Sequence, residues 1–282
     1  MTWGESSSRV ILRRVGNAFK WSVYSNLFSA ISGHVAMLTA MMVLLRVPPN
    51  PVLILIVFSG SMLIYSLNRQ MDRQEDRISI PERSEFSGRY GRYFIGASVP
   101  LFGISLILAA LQSSSVLVVV LVPLIIGVLY SFFRIKRIFF LKNLAVSLAL
   151  SAILLLVVVA YRPSPSLWLP LFGFFISTSL VNTIICDIKD ISGDVLVGNR
   201  TLPVTLGVRG TQGFCFFLLV IMMLIAIPLI LDDRVFWALV PYLIYKGIYI
   251  ASVPAADAPW WFYGVVVDGE GIPLLGFSLL FM

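Results

Sequence analysis

Eight apolar stretches, each close to the roughly 20 residues that cross a bilayer core, leave this chain very few ways to fold. They cover residues 21–45, 52–70, 93–112, 116–133, 143–161, 166–186, 212–231 and 235–251. In lipid every backbone N–H and C=O must be satisfied inside its own element, and segments of this length do so as helices. With only 12% charged residues and a mean hydropathy of +0.94, a soluble globule is excluded, since charged residues there run near a quarter. The expectation is all-α: a polytopic transmembrane helical bundle of about nine helices around a cytoplasm-facing cavity, as one domain over 1–282. The ninth stretch, from about 260 to the end, is cut by Asp268-Gly-Glu-Gly271 and reads as a broken or partly interfacial helix.

Juxtamembrane Lys and Arg set the orientation of such a bundle. Seventeen of the twenty-one cations fall in alternate loops: Arg9 to Lys20, Arg69 to Arg92, Arg134 to Lys142, and Lys189 to Arg209. The intervening connections hold Arg46, Arg162 and Arg234, with Lys246 near the end of the eighth stretch. The N-terminus is therefore expected in the cytoplasm, together with the longer polar segments 72–93 and 187–213, which read as cap loops. This topology accounts for the +7 charge without a nucleic-acid partner. Residues 1–20 read as an amphipathic interfacial segment, and no cleavable leader is expected because the first apolar stretch is too long for one.

The acids are more telling than the cations. Five lie between residues 72 and 85 and three between 187 and 194, eight of the chain's fourteen. Asn68, Asp72 and Asp76 form NxxxDxxxD, and Asp187, Asp190 and Asp194 form DxxDxxxD. Each spacing stacks its side chains on one helical face where an apolar stretch runs out. Bare carboxylates so close together in a low-dielectric mouth would repel severely. Hard Asp and Asn oxygens suit Mg²⁺, which prefers a few carboxylates plus substrate phosphates. Interleaved Arg69, Arg73, Arg77 and Lys189, with Lys136, Arg137 and Lys142 nearby, supply partners for phosphate oxygens. The natural ligand of a divided site of this kind at a membrane edge is a metal-bound lipid diphosphate.

Together with Gly198-Asn-Arg-Thr-Leu-Pro-Val204, Asp76-Arg77 followed by Pro81 and Arg83, Tyr130-Ser131 followed by Lys142-Asn143, and Gly193-Asp194, the acidic motifs resemble the UbiA superfamily of intramembrane prenyltransferases. The resemblance implies an Mg²⁺-dependent enzyme that takes a prenyl group from an allylic prenyl diphosphate, by ionisation, to a hydrophobic acceptor: an aromatic quinone precursor or a lipid alcohol. It implies metal ligation by Asn68, Asp72, Asp76, Asp187, Asp190 and Asp194, and diphosphate binding by Arg77, Arg83, Lys142, Asn143 and Lys189. Tyr130 is placed near the reacting carbon or the diphosphate, and Asp72, Asp76, Asp190, Asp194 and Tyr130 form the catalytic set. The chain departs from the pattern at Arg69, Ser84 and Cys186, and at Asn182-Thr183, where archaeal ether-lipid synthases of the superfamily often carry Arg-Glu; this last departure counts against that particular acceptor.

Other features read as structural. His34 reads as a packed polar contact beside Gly33, Cys186 and Cys215 as membrane-packed thiols, and Trp260-Trp261-Phe262-Tyr263 as an interfacial aromatic belt. Gly33, Gly103, Gly127 and Gly173 are candidates to leave room for a lipid passage. The repeated order of acidic motif and basic loop hints at an internal duplication. The rival reading is a cation transporter or channel lined by the acidic helix ends; the scarcity of further acids between the motifs argues against it.

Overall fold

The structure, a computed structural model, describes residues 7–132, 139–254 and 259–282. The described residues are helical, with no strand. In chain order the helices are α1 (Ser7–Tyr24), a π-helical segment Ser29–Val35 leading into α2 (Ala36–Leu44), α3 (Pro51–Met71), α4 (Arg73–Ser79), α5 (Pro81–Gln112) and α6 (Ser114–Phe132). They continue as α7 (Leu141–Tyr161), α8 (Pro165–Ile188), α9 (Ile191–Val197), α10 (Leu202–Asp232), a 3₁₀ turn Arg234–Ala238, α11 (Leu239–Ala251), a second π segment Phe262–Val267, and α12 (Gly271–Leu280).

Among the described residues six helices are long and apolar enough to cross a membrane, and seven if the bent first pair counts as one span. The first expected span is not continuous: the α1 side and the Ser29–Leu44 side meet at 60°, so the amphipathic N-terminal helix turns before the chain enters the bundle. The ninth stretch does form a span-length unit, Phe262–Leu280. Its Asp-Gly-Glu-Gly sequence makes a turn between the second π segment and α12 instead of ending the helix.

The expected cap loops are themselves largely helical. Segment 72–93 becomes α4 and the first turns of α5, and segment 187–213 becomes α9 and the start of α10. Punctuation explains the breaks. Asn50 caps α3 by accepting from the Val52 and Leu53 amides at 3.0 and 3.3 Å, and Pro51, Pro81 and Pro165 open their helices, where a missing N–H costs nothing. Gly198 ends α9 with φ 73° and Gly207 breaks α10 with φ 68°, a region that favours glycine.

The packing repeats a unit of long helix, short helix and long helix. Helix α3 packs on α5 with α4 between them in sequence, α8 packs on α10 with α9 between, and α4 packs on α9. This pattern agrees with the duplication hinted at by the two motifs. The apolar core runs through α2, α8, α10 and α11, with Leu38, Met41, Phe174, Phe175, Met222, Tyr242 and Tyr249 all buried.

The last span is tied in by two devices. At a glycine crossing, a Cβ on Gly33 would lie 2.5 Å from the Asp268 carbonyl and one on Gly271 2.4 Å from the Gly33 carbonyl; Gly33 therefore serves close packing. Beside it, Lys246 is fully buried and reaches Glu270 at 2.7 Å, Tyr249 Oη at 2.7 Å and the Thr178 carbonyl at 3.0 Å. Lys246 is thus no juxtamembrane cation, as its position in the sequence suggested, but half of an interior ion pair. Removing one partner of such a pair strands a buried charge. We expect Lys246→Met to destabilise the detergent-solubilised protein by about 3–5 kcal/mol, and Lys246→Met with Glu270→Gln to recover most of that loss, measured by chemical denaturation.

Candidate functional site

The acidic motifs occupy equivalent joints. Asp72 sits between α3 and α4, and Asp190 immediately precedes α9, with backbone angles of −90°/10° and −99°/3°. Each joint turns the following short helix so that its acid, Asp76 or Asp194, is buried. Because α4 packs on α9, the two faces meet.

Cations from other elements hold them there. Arg83, from the first turn of α5, makes a bidentate bond to Asp76, through Nε at 3.1 Å to Oδ2 and through a short Nη2 contact to Oδ1. The same Nη2 lies 4.0 Å from Asp190 Oδ1, so one guanidinium bridges both motifs. Arg69 Nη1 stands 3.7 Å from Asp76 Oδ2. On the other side Lys142, opening α7, reaches Asp187 Oδ1 at 2.8 Å and lies 4.0 Å from Asp194 Oδ2. Asn143 donates to Asp187 at 2.9 Å, and Asn199 to Asp194 at 2.8 Å. Lys189 Nζ lies 3.9 Å from Asp190 and 5.3 Å above the Tyr263 ring.

The electrostatics are uneven across this cluster. Burial would raise the Asp190 carboxyl, but Lys189, Arg83, Lys142 and Arg69 outweigh it and hold it below the ordinary range. At Asp194 burial wins: the carboxyl is raised in spite of Lys142 and the Asn199 bond, with the charges of Asp187 and Asp190 adding to the effect. Burial would lower the Lys189 ammonium, yet Cys186, Asp190 and Asp268 lift it above its usual value.

Among the described residues, no three His, Cys, Asp or Glu side chains converge closely enough to hold a metal ion. The reason is visible: the carboxylates are turned toward Arg83 and Lys142. Three buried hard oxygens nevertheless lack a hydrogen-bond partner: Asn143 Oδ1, Asn199 Oδ1 and Asp194 Oδ2, the last with only the 4.0 Å contact to Lys142. Orphaned buried oxygens call for a donor or a cation, and this all-oxygen set fits an oxygen-seeking divalent ion.

Asn68 belongs to the first motif and also lines a cavity of about 410 Å³. The cavity runs between α3, α5, α6 and α7, past Ile64, Phe102, Leu124, Gly127 and Ile153; its polar lining residues are His34, Ser61, Tyr65 and Asn68. Gly127 does leave room there, with a Cβ position 3.9 Å from Ile64, whereas Gly103 and Gly173 do not line it. His34 is a packed contact as expected, with its ring against Tyr65 at 5.3 Å, but it also borders the cavity.

The structure thus brings together Asp76, Asp187, Asp190, Asp194, Arg83, Lys142, Asn143 and Lys189, with Asn68 on the last turn of α3 and Asp72 just after it. Arg77 is exposed on α4. The Tyr130 side chain, Lys136 and Arg137 lie outside the described residues. Sequence reasoning missed Asn199 as a partner of Asp194, although it falls within the quoted Gly198–Val204 run, because no spacing rule pointed its amide back to α9. It also missed the contact of Tyr263, buried, with Lys189, while Trp261 of the same aromatic run is half exposed.

A scan against known families matches the UbiA prenyltransferase family over residues 29–270. The chain belongs to the UbiA prenyltransferase family. A digeranylgeranylglyceryl phosphate synthase of Methanopyrus kandleri is 30% identical over 221 residues, 74% of this chain and 77% of that protein. A second protein of that name, from Methanothrix thermoacetophila, is 31% identical over 207 residues, 70% and 76% of the two chains. The UbiA fold is also seen in a solved UbiA homologue from Archaeoglobus fulgidus bound to GPP and Mg²⁺, which superposes with a TM-score of 0.69 at 14% identity, covering 93% of this chain and 98% of that one. This UbiA-family chain is therefore an integral, multi-pass membrane protein.

Two arginines of the family's first loop should separate cleanly. Arg83→Met leaves Asp76 buried with only the longer Arg69 contact and should cost about 3 kcal/mol of stability or more. Arg77→Met, on an exposed face, should change stability by no more than about 0.5 kcal/mol in the same denaturation experiment.

Proposed function

We propose that this protein transfers a prenyl group from an allylic prenyl diphosphate to a lipid alcohol, with the donor's diphosphate held between α4 and α9 on the cytoplasmic side. The observation that carries the reading is Asn68, which stands in the first acidic motif and in the wall of the apolar cavity at once. A ligand with a charged head and an isoprenoid tail matches that continuity, and a bare cation path does not. The lipid-alcohol acceptor follows the names of the curated relatives, digeranylgeranylglyceryl phosphate synthases. Asn182, at the departure noted above, donates to the Val267 carbonyl at 2.9 Å, a structural bond that carries no acceptor preference by itself.

Asn68, Asp72, Asp76, Asp187, Asp190 and Asp194 would hold Mg²⁺, with Asn143 and Asn199 offering spare oxygens beside them. When bound, Mg²⁺ neutralises charge that builds on the departing diphosphate. Arg83 and Lys142 bridge carboxylates in the free protein; as diphosphate oxygens arrive they exchange one anion for another and remain in place to stabilise the leaving group. Lys189 faces the same mouth. The aliphatic walls from Ile64 to Ile153 orient the tail and exclude water that would quench an allylic cation.

Incubating the purified protein and Mg²⁺ with radiolabelled prenyl diphosphates of several lengths and a panel of lipid alcohols and phenols, followed by mass analysis, tests the reading directly. Absence of any prenylated product would reject it. Asp72→Asn and Asp190→Asn should each reduce turnover on the order of 10²–10³-fold while remaining folded. Gly127→Trp should narrow the cavity and shorten the accepted prenyl chain while sparing inorganic diphosphate binding; an unchanged length preference would place the tail elsewhere.

A further inference from the structure

Asp268 and Glu270 stand two residues apart at the turn of the last span, and the bundle treats them differently. Glu270 is consumed: Lys246 pairs with it at 2.7 Å and Tyr249 donates to it at 3.0 Å. Among the described residues no cation lies within ion-pair distance of Asp268. Its carboxylate meets only the Cys186 thiol at 3.4 Å and the Ser29 hydroxyl at 3.5 Å, a weak donor and one at the limit of reach. An ionisable side chain inside a membrane bundle that is not spent on a pair marks a functional position.

Asp268 lines a second cavity of about 40 Å³, whose other polar walls include Ser29, His34, Tyr65, Ser179 and Asn182. At roughly 10–15 Å³ of cavity volume per water, this space admits a few hydroxyl-sized groups. His34 and Tyr65, 3.4 Å apart through Nε2 and Oη, line the large apolar cavity as well. Cys186 directly precedes Asp187 of the second motif. The compartment therefore adjoins both the tail cavity and the acidic mouth, which is where an attacking group must stand if the tail and head lie as proposed.

We infer that this compartment seats the reacting hydroxyl of the acceptor and that the Asp268 carboxylate takes its proton. The inference rests on the prenyl-transfer reading above. The allylic C–O bond breaks and its electron pair leaves with the diphosphate; the acceptor oxygen forms the new C–O bond to the allylic carbon; the hydroxyl proton passes to Asp268. The Asp268 carboxylate, with Lys246 already committed to Glu270, repels an anionic group at this point. A neutral alcohol is accepted, and an aromatic acid is disfavoured.

The test uses the full-length purified protein, with geranyl diphosphate and Mg²⁺ as donor and either a 1-O-alkylglycerol or 4-hydroxybenzoate as acceptor. Asp268→Asn preserves volume and should lower transfer to the alkylglycerol on the order of 10²-fold or more. Its affinity for geranyl diphosphate with Mg²⁺, measured calorimetrically, should stay within about threefold of the parent. Ser179→Leu fills the compartment from α8 and should raise the alkylglycerol KM about tenfold or more with donor affinity likewise kept; it decides the matter if Asp268→Asn does not fold. Retained transfer in Asp268→Asn, an unchanged acceptor KM in Ser179→Leu, or an equal loss of donor binding in either variant would overturn the inference. Transfer to 4-hydroxybenzoate as fast as to the alkylglycerol would do the same. If the parent protein prenylates neither these nor any other acceptor, the transfer reading itself has failed and this inference falls with it.

Discussion

A carboxylate removed from water has to find a positive partner, and the arrangement of this bundle follows from that requirement. Asp76 and Asp194 are drawn inward by the turns at Asp72 and Asp190, beside the buried Asp187, and the three would not stay there alone. The compensating charges come from the first turns of two other helices, Arg83 on α5 and Lys142 on α7. Pro81, which opens α5, and the chain turn before Leu141 matter because they fix where those cations enter. The contact between α4 and α9 is therefore bridged electrostatically as well as packed. A buried pair is a poor source of net stability, so its persistence here is best understood as holding the site in shape for a charged ligand.

The same logic divides the interior into two kinds of space. Where cations meet acids the walls are polar and the exchange of one anion for another is cheap. Below Asn68 the walls turn mostly aliphatic, and the 410 Å³ cavity offers its contact chiefly to an apolar chain. His34 and Tyr65, with Leu150 and Ile153, form the wall that this cavity shares with a small polar compartment. The glycine crossing of Gly33 and Gly271 makes this border possible, because it lets the last span approach closely enough for Asp268 to stand beside His34.

Much of this was legible in the chain. Apolar length gave the helical bundle, and motif spacing gave the pairing of acidic faces, since both are local properties of a helix. Arg83, Lys142 and Asn143 were legible only through likeness to a known family; nothing in their own spacing says which acid each will meet. The break in the first span and the helical nature of the cap segments were not legible from apolar length, and the role of Lys246 was misjudged for a separate reason. Hydropathy registers a charge but not its partner, so Lys246 looked like a helix-end cation and Asp268-Gly-Glu-Gly271 like an interruption. Glu270 neutralises the first and turns the second into a packed joint, a relation across 24 residues that no periodicity encodes.

The most direct measurement is a structure of the protein with Mg²⁺ and a non-ionising thiolo analogue of geranyl diphosphate. The account predicts the diphosphate between α4 and α9, with Arg83 and Lys142 turned from Asp76 and Asp187 toward its oxygens and the geranyl chain running past Asn68 toward Gly127. A head group bound away from both acidic motifs, or a tail lying outside the Ile64 to Ile153 cavity, would contradict it.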